Sequence, residues 1–168
     1  NTTHFSILDA FGNRVAATET VNLEFGSGFM PPGTGVLLNN EMDDFAASLT
    51  ASNAFGYVGS AANAVAPGKR PLSSMVPTFM EGPRGLLIIG GKGGSRIISQ
   101  VLFGILGFVQ GQDARTIVSA PRYHHQHLPD RVDFESAALS PAEQAALRKL
   151  GHTLREVPDG WGLMQAVW

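Results

Sequence analysis

Apolar and polar residues alternate from His4 to Asp9, break at Ala10-Phe11-Gly12-Asn13, and resume an extended pattern from Val15 to Val21. A period of two marks half-buried strands, and the turn residues between them predict a β-hairpin. The hairpin would hold Thr2 at the tip of a sheet, on a rigid element suited to a reacting group. A Gly/Pro-rich loop follows from Gly26 to Gly33, then a short apolar run, Val36-Leu37-Leu38, and the polar segment Asn39 to Phe45. Residues 46–70 are rich in Ala, Ser, Asn and Gly without a sustained period. They read as a long ordered loop, and such loops inside compact domains are commonly functional.

Beyond Pro71-Leu72-Ser73-Ser74-Met75 the pattern predicts strands at Thr78 to Glu81 and Gly85 to Ile89, with a turn at Gly82-Pro83. The glycine cluster Gly90 to Arg96 then leads into Ile97 to Val109, which is apolar on nearly every face and reads as a buried helix. Asp113 to Ala120 suggests a second helix and Arg131 to Phe134 a short strand. Ser140-Pro141-Ala142-Glu143 starts a helix with a capping box and proline at its first position, ending near Gly151. Thr153 to Val157 and Gly162 to Trp168 complete the pattern as strands. Hairpin-built sheets with a helix pair against them make a layered α+β architecture.

Composition narrows the possibilities. The 168 residues are about one domain, 43% hydrophobic and 15% charged, which is the profile of a packed fold. So low a charged fraction suggests that another chain covers part of the surface. The net charge of −2 and the lack of a basic run argue against a nucleic-acid partner. No apolar stretch is long enough to span a bilayer, and the absence of cysteine removes thiol chemistry. The last residues, Val167-Trp168, fall within an apolar strand, so further strands are expected from a removed segment or a partner.

Candidate chemistry begins at Thr2-Thr3-His4. A hydroxyl residue at an amino terminus can act alone, its oxygen as nucleophile and its amine, with an ordinary pKa of about 7.7–8.0, as base. The sequence strand, glycine cluster, helix (Gly85 to Val109) suits an anion, because unpaired amides at a helix start point outward. Lys92 precedes Gly93 rather than following the last glycine, so the cluster is not a P-loop, nor is it the dinucleotide fingerprint. An oxyanion hole built from the adjacent amides of Gly93 and Gly94 is the better reading, against a tight turn chosen only for packing. Glu41 and Asp44, three apart, would face one side of a helical turn and grip an ammonium group; the alternative is a solvated acidic turn. Ser73-Ser74 offers two hydroxyl donors to a carboxylate. His124-His125-x-His127 invites a metal, but no further cluster is present to close a coordination shell. Trp161 and Trp168 read as core or interface.

Taken together, Thr2-Thr3-His4, Asn39-Asn40-Glu41-Met42-Asp43-Asp44-Phe45, Lys69-Arg70-Pro71-Leu72-Ser73-Ser74-Met75, Gly93-Gly94-Ser95-Arg96-Ile97 and Ala120-Pro121-Arg122-Tyr123-His124-His125-Gln126 resemble the small subunit of γ-glutamyltranspeptidase, in order and in spacing over nearly the whole chain. The resemblance implies an α+β, four-layer αββα sandwich of the N-terminal-nucleophile hydrolase type. A large subunit cut from the same precursor would complete it. The expected domain is the small catalytic subunit, residues 1–168, lacking its C-terminal strands. It casts Thr2 as nucleophile and Thr20 as the hydroxyl that orients it. Asn22, Glu41 and Asp44 would hold the α-amino group of a γ-glutamyl donor, with Asn22 nearer the carboxylate. Ser73 and Ser74 would bind that carboxylate, and Gly93 and Gly94 the oxyanion. No cofactor or metal is implied. The donor would be glutathione or a related γ-glutamyl compound and the acceptor water or an amino acid, in a periplasmic or secreted setting.

Asn1 precedes Thr2, so the resemblance makes Asn1–Thr2 the bond that Thr2 itself cuts. Lys92 stands where many relatives have proline or threonine. The rivals are a cephalosporin (glutaryl) acylase, a poly-γ-glutamate depolymerase of the same fold, and a non-catalytic domain. A glutaryl group lacks the α-amino group, so a site for it has no use for both Glu41 and Asp44.

Overall fold

In the computed structural model, which describes residues 1–48, 50–158 and 160–168, the Asp9 carboxylate closes the first turn. It accepts from the backbone N–H groups of Phe11 (2.9 Å) and Asn13 (2.8 Å). β1 (Thr2–Leu8) and β2 (Arg14–Thr20) pair antiparallel in the register Thr2↔Thr20, His4↔Thr18, Ser6↔Ala16. Alternation sends Thr2, His4 and Ser6 to the inner face, while Phe5 and Ile7 point outward and stay 39% and 48% exposed.

The inner face lies against a second sheet of order β3-β4-β8, with β3 Thr78–Gly82, β4 Gly85–Lys92 and β8 Leu163–Val167, all antiparallel. β4 is central and covered on both faces, and for that reason its sequence is a continuous apolar run; Leu87, Ile88 and Ile89 are fully buried. The strand runs on through Gly90, Gly91 and Lys92, three residues past the expected end. The sheets meet where the His4 ring crosses Gly90: a Cβ there would sit 2.2 Å from His4 Nδ1. His4 is buried and neutral. Ser6 Oγ donates to Ile88 O (3.2 Å), so His4 Nε2–H donates to Ser6 (2.9 Å) and Nδ1 accepts from Thr18 Oγ1 (2.8 Å). Burial lowers its pKa, in keeping with that state.

α1 (Ile97–Val109) and α2 (Ala114–Ser119) cover the other face of this sheet. Ile97, Val101, Phe108 and Ile117 form the core with Leu87, Ile89 and Met164. α1 departs from the expected buried helix, because Ile98, Leu102 and Leu106 remain about half exposed. A helix on a single sheet buries one stripe, and among the described residues nothing covers the opposite one. The chain thus contributes α, β and β layers in succession.

A third sheet of order β5-β6-β7 contains β5 (Tyr123–Gln126), β6 (Arg131–Glu135) and β7 (Leu154–Val157). β6 and β7 are parallel, joined across α3 (Pro141–Lys149), whose capping box uses Ser140 and Glu143 as expected. The strand at Tyr123–Gln126 was not apparent in the pattern, because it is polar and exists through pairing with β6. The run Val36-Leu37-Leu38 forms no strand. Among its described residues the segment 46–70 is a long connection that includes the short 3₁₀ turn Ala61–Asn63; Leu49 lies outside the described residues.

The third sheet is tied to the 160s loop by a buried pair. Arg122 Nη1 meets Glu135 Oε1 at 3.4 Å and donates to Gly162 O at 3.1 Å, while Glu135 accepts from the backbone of Arg122 (2.8 Å) and Trp161 (3.1 Å). Removing one partner strands the other charge. Arg122→Met is expected to cost about 3–5 kcal/mol, read as a lower urea midpoint. A midpoint unchanged from the parent would show that the pair carries no such weight.

Candidate active site

The Thr2↔Thr20 register places two hydroxyls face to face, with Oγ1 atoms 2.8 Å apart. Thr20 Oγ1 accepts from the backbone N–H of Asn22 (2.8 Å) and reaches the carbonyl of Asn1 (3.3 Å). With the Thr20 proton turned to that carbonyl, the Thr2 hydroxyl donates to Thr20 and its lone pairs are free to attack. Val21 N–H also donates to the Asn1 carbonyl (3.1 Å), so two donors polarise the bond in front of Thr2. Asn22 sits at φ 67°, a left-handed conformation that asparagine tolerates, and is buried. Its amide donates to Asn40 O (3.2 Å), which pins the chain turn next to Thr20 against the acidic segment.

That segment forms the expected turn: Glu41–Asp44 is a 3₁₀ helix. Glu41 and Asp44 open into a pocket together with Thr2, Thr20, Asn22, Ser73, Ser74 and Gly94. Of the nine anticipated residues, eight line this pocket; the ninth, Gly93, lines the neighbouring one together with Thr2. Asn53 Nδ2 holds Asp44 Oδ1 at 3.1 Å, and Asn63 Nδ2 holds its backbone carbonyl at 2.7 Å. Glu41 Oε1 is buried and has no hydrogen-bond partner among the described residues. Burial, then the neighbouring Asp44 charge, raises the Glu41 pKa; burial is also the largest cause of the raised Asp44 pKa. Two desolvated carboxyls side by side favour a bound cation. Ser73 Oγ accepts from Met75 N–H (3.1 Å), which leaves its proton free for a ligand.

Gly93 and Gly94 follow β4 at φ 145° and 61°, open to glycine and costly for other residues. A Cβ on Gly94 would also fall 2.4 Å from the Phe55 ring. Their N–H groups have no backbone acceptor among the described residues, and both glycines border a second pocket with Thr2. They are therefore available to a developing oxyanion.

Sequence reasoning missed the residues of the 46–70 loop that finish the pocket, Asn53, Phe55 and Tyr57, although the length of that loop was a signal. It also missed what the histidines do. His124 Nε2–H donates to Gln126 Oε1 (2.9 Å) and Nδ1 accepts from Ser99 Oγ (2.8 Å). Gln126 in turn accepts from Ser95 Oγ (2.7 Å) and donates to Phe55 O (3.2 Å), fastening the loop behind the pocket. His125 pairs with Asp130 (2.9 Å), and no group of three ligating side chains suited to a metal occurs among the described residues. Trp168 packs edge-on to Phe108, at 5.3 Å between ring centroids, while Trp161 lies under the Arg96 guanidinium at 4.5 Å.

Stacked α, β and β layers with a threonine opening the first strand define an N-terminal-nucleophile hydrolase fold. The sequence model of the Gamma-glutamyltranspeptidase family matches residues 1–168. The chain belongs to that family. It is 47% identical over 168 residues to the glutathione hydrolase proenzyme of Escherichia coli K12, covering 99% of this chain and 29% of the relative. It is 44% identical over 153 residues to that of Pseudomonas sp. A14, covering 90% and 27%. The chain thus spans less than a third of either relative. The structure of the Helicobacter pylori gamma-glutamyltranspeptidase T380A mutant superposes with a TM-score of 0.92 at 40% identity, over 98% of this chain and 89% of that chain.

Proposed function

We propose that this chain supplies the catalytic half of an enzyme that hydrolyses and transfers γ-glutamyl groups from glutathione and related compounds. It would act after self-cleavage at Asn1–Thr2, beside a large subunit from the same precursor. In the self-cleavage, Thr2 Oγ attacks the Asn1 carbonyl carbon, and its proton passes to the Thr2 nitrogen as the peptide C–N bond breaks and frees the Thr2 amine. Water then hydrolyses the resulting ester to give the Asn1 carboxylate and the Thr2 hydroxyl. In turnover that amine takes the Oγ proton as Thr2 attacks the donor γ-carbonyl. Gly93 and Gly94 N–H groups stabilise the oxyanion, a contribution of about 2.7–4 kcal/mol per donor. The proton passes to the leaving amine as the amide bond breaks, and water or an amino acid then takes the glutamyl group from the Thr2 ester. Glu41 and Asp44 hold the donor ammonium and Ser73 and Ser74 its carboxylate, which positions the carbonyl over Thr2.

The observation that carries this reading is the unpartnered, buried Glu41 carboxylate oxygen beside Asp44 in the pocket that contains Thr2. A glutaryl end keeps the carboxylate but has no ammonium, and would leave the Glu41–Asp44 pair without a cation. γ-Glutamyl-p-nitroanilide should therefore be cleaved about 10²-fold faster, in kcat/KM, than glutaryl-p-nitroanilide, since charged hydrogen bonds contribute about 1.5–3 kcal/mol each. Equal rates would overturn the assignment. A periplasmic or secreted site belongs to the same proposal and is checked by cell fractionation. No helix among the described residues is long and apolar enough to cross a membrane.

A further inference from the structure

A second pocket adjoins the acidic one and shares Thr2, Asn22, Phe55 and Gly94 with it. An acyl carbon attacked by Thr2 has the acyl chain on one side and the leaving or incoming amine on the other. If the acidic pocket takes the glutamyl end, as proposed above, the second pocket receives the leaving amine and the acceptor. Its charged groups differ in kind. Lys92, Arg96 and the exposed Glu24 line it. Arg96 is already engaged: its Nε donates to Gly93 O at 2.7 Å and its guanidinium covers the Trp161 ring. Asp133, near Arg96, is held by Arg155 at 2.7 Å through both oxygens and by Arg131 at 3.0 Å. Lys92 ends β4 immediately before the glycine pair and is half-buried, and its side chain makes no hydrogen bond or ion pair among the described residues.

We infer that Lys92 is a specificity residue that binds the carboxylate of the leaving peptide and of an acceptor amino acid or peptide, with the Arg96–Trp161 stack forming the floor of that subsite. A lysine ammonium on a flexible stem is a point charge that tolerates carboxylates at varied distances. Of the charged side chains lining the pocket, Glu24 repels a carboxylate and Lys92 attracts one. The inference rests on the γ-glutamyl reading, and donors with different leaving groups separate the two.

The test compares Lys92→Gln with the parent in the complete, processed enzyme, using glutathione, whose leaving group carries a carboxylate, and γ-glutamyl-p-nitroanilide, whose leaving group is neutral. The ratio of kcat/KM for glutathione to that for the anilide is expected to fall about tenfold, the equivalent of one charged hydrogen bond. The loss should lie in KM, and Lys92→Arg should restore most of it. In transfer from the anilide, the KM for glycylglycine should rise while that for glycylglycinamide stays near its parent value. A proportional fall with both donors would mean that Lys92 only shapes the glycine turn and would overturn the inference, as would an unchanged ratio. A parent enzyme inactive on both donors would instead overturn the γ-glutamyl reading beneath it.

Discussion

Thr2→Ala is expected to leave the precursor uncut and to lower γ-glutamyl turnover by at least about 10⁴-fold, as loss of a catalytic nucleophile does elsewhere. Both effects follow from one atom. Thr2 Oγ1 is 2.8 Å from Thr20 Oγ1, and the carbonyl before it accepts from Val21 N–H and Thr20, so the same oxygen faces its own chain first and a donor later. Mass analysis should find a single uncut species. Because alanine removes only a partly exposed hydroxyl and methyl group, the thermal midpoint should move little. Thr2→Ser, which keeps the oxygen, should retain cleavage. Turnover by the alanine variant at the parent rate would end the enzymatic assignment.

Asp44→Asn should raise the donor KM about 10–100-fold, because an amide cannot supply the charge that holds an ammonium. The same change should leave the protein as stable as the parent, or more so. Burial raises the Asp44 pKa, so the folded state binds that proton more tightly than the unfolded chain. The ionised carboxyl therefore costs folding free energy at neutral pH, and the cost fades as pH falls through the raised pKa. Asparagine removes the cost and its Oδ1 can still accept from Asn53. Donor binding has the opposite dependence. It needs the ionised pair, so in the parent KM should begin to rise on acidification at a pH above the ordinary aspartate value of about 3.9, and this rise should be blunted in Asp44→Asn. Kinetics and thermal unfolding across pH check both signs. A destabilised Asp44→Asn with unchanged KM would assign the residue to the fold instead of the donor.

Much of the molecule was legible in the order of its residues, because the signals are local. The alternation around Gly12 specifies the hairpin, and Ser140, Pro141 and Glu143 specify the start of α3. The apolar run after Gly85 specifies a strand covered on both faces. Residue types also pointed to the groups that line the candidate site: an acidic turn, a serine pair, two glycines at a helix start and a threonine opening a strand.

What the sequence could not decide is how these pieces meet, since contact between distant segments depends on register and packing. Only the pairing of Thr2 with Thr20, 18 residues apart, sets two hydroxyls at bonding distance. The Glu41–Asp44 turn faces Thr2 because Asn22 ties it there through Asn40, and burial in that place is what raises the two pKa values. β5 is a strand because β6 offers it a ladder, and the histidines within it support the loop carrying Phe55. α1 is apolar all round, yet half of that surface is uncovered in this chain. Hydrophobic pattern says which surfaces avoid water; the folded arrangement decides which neighbour removes it from them.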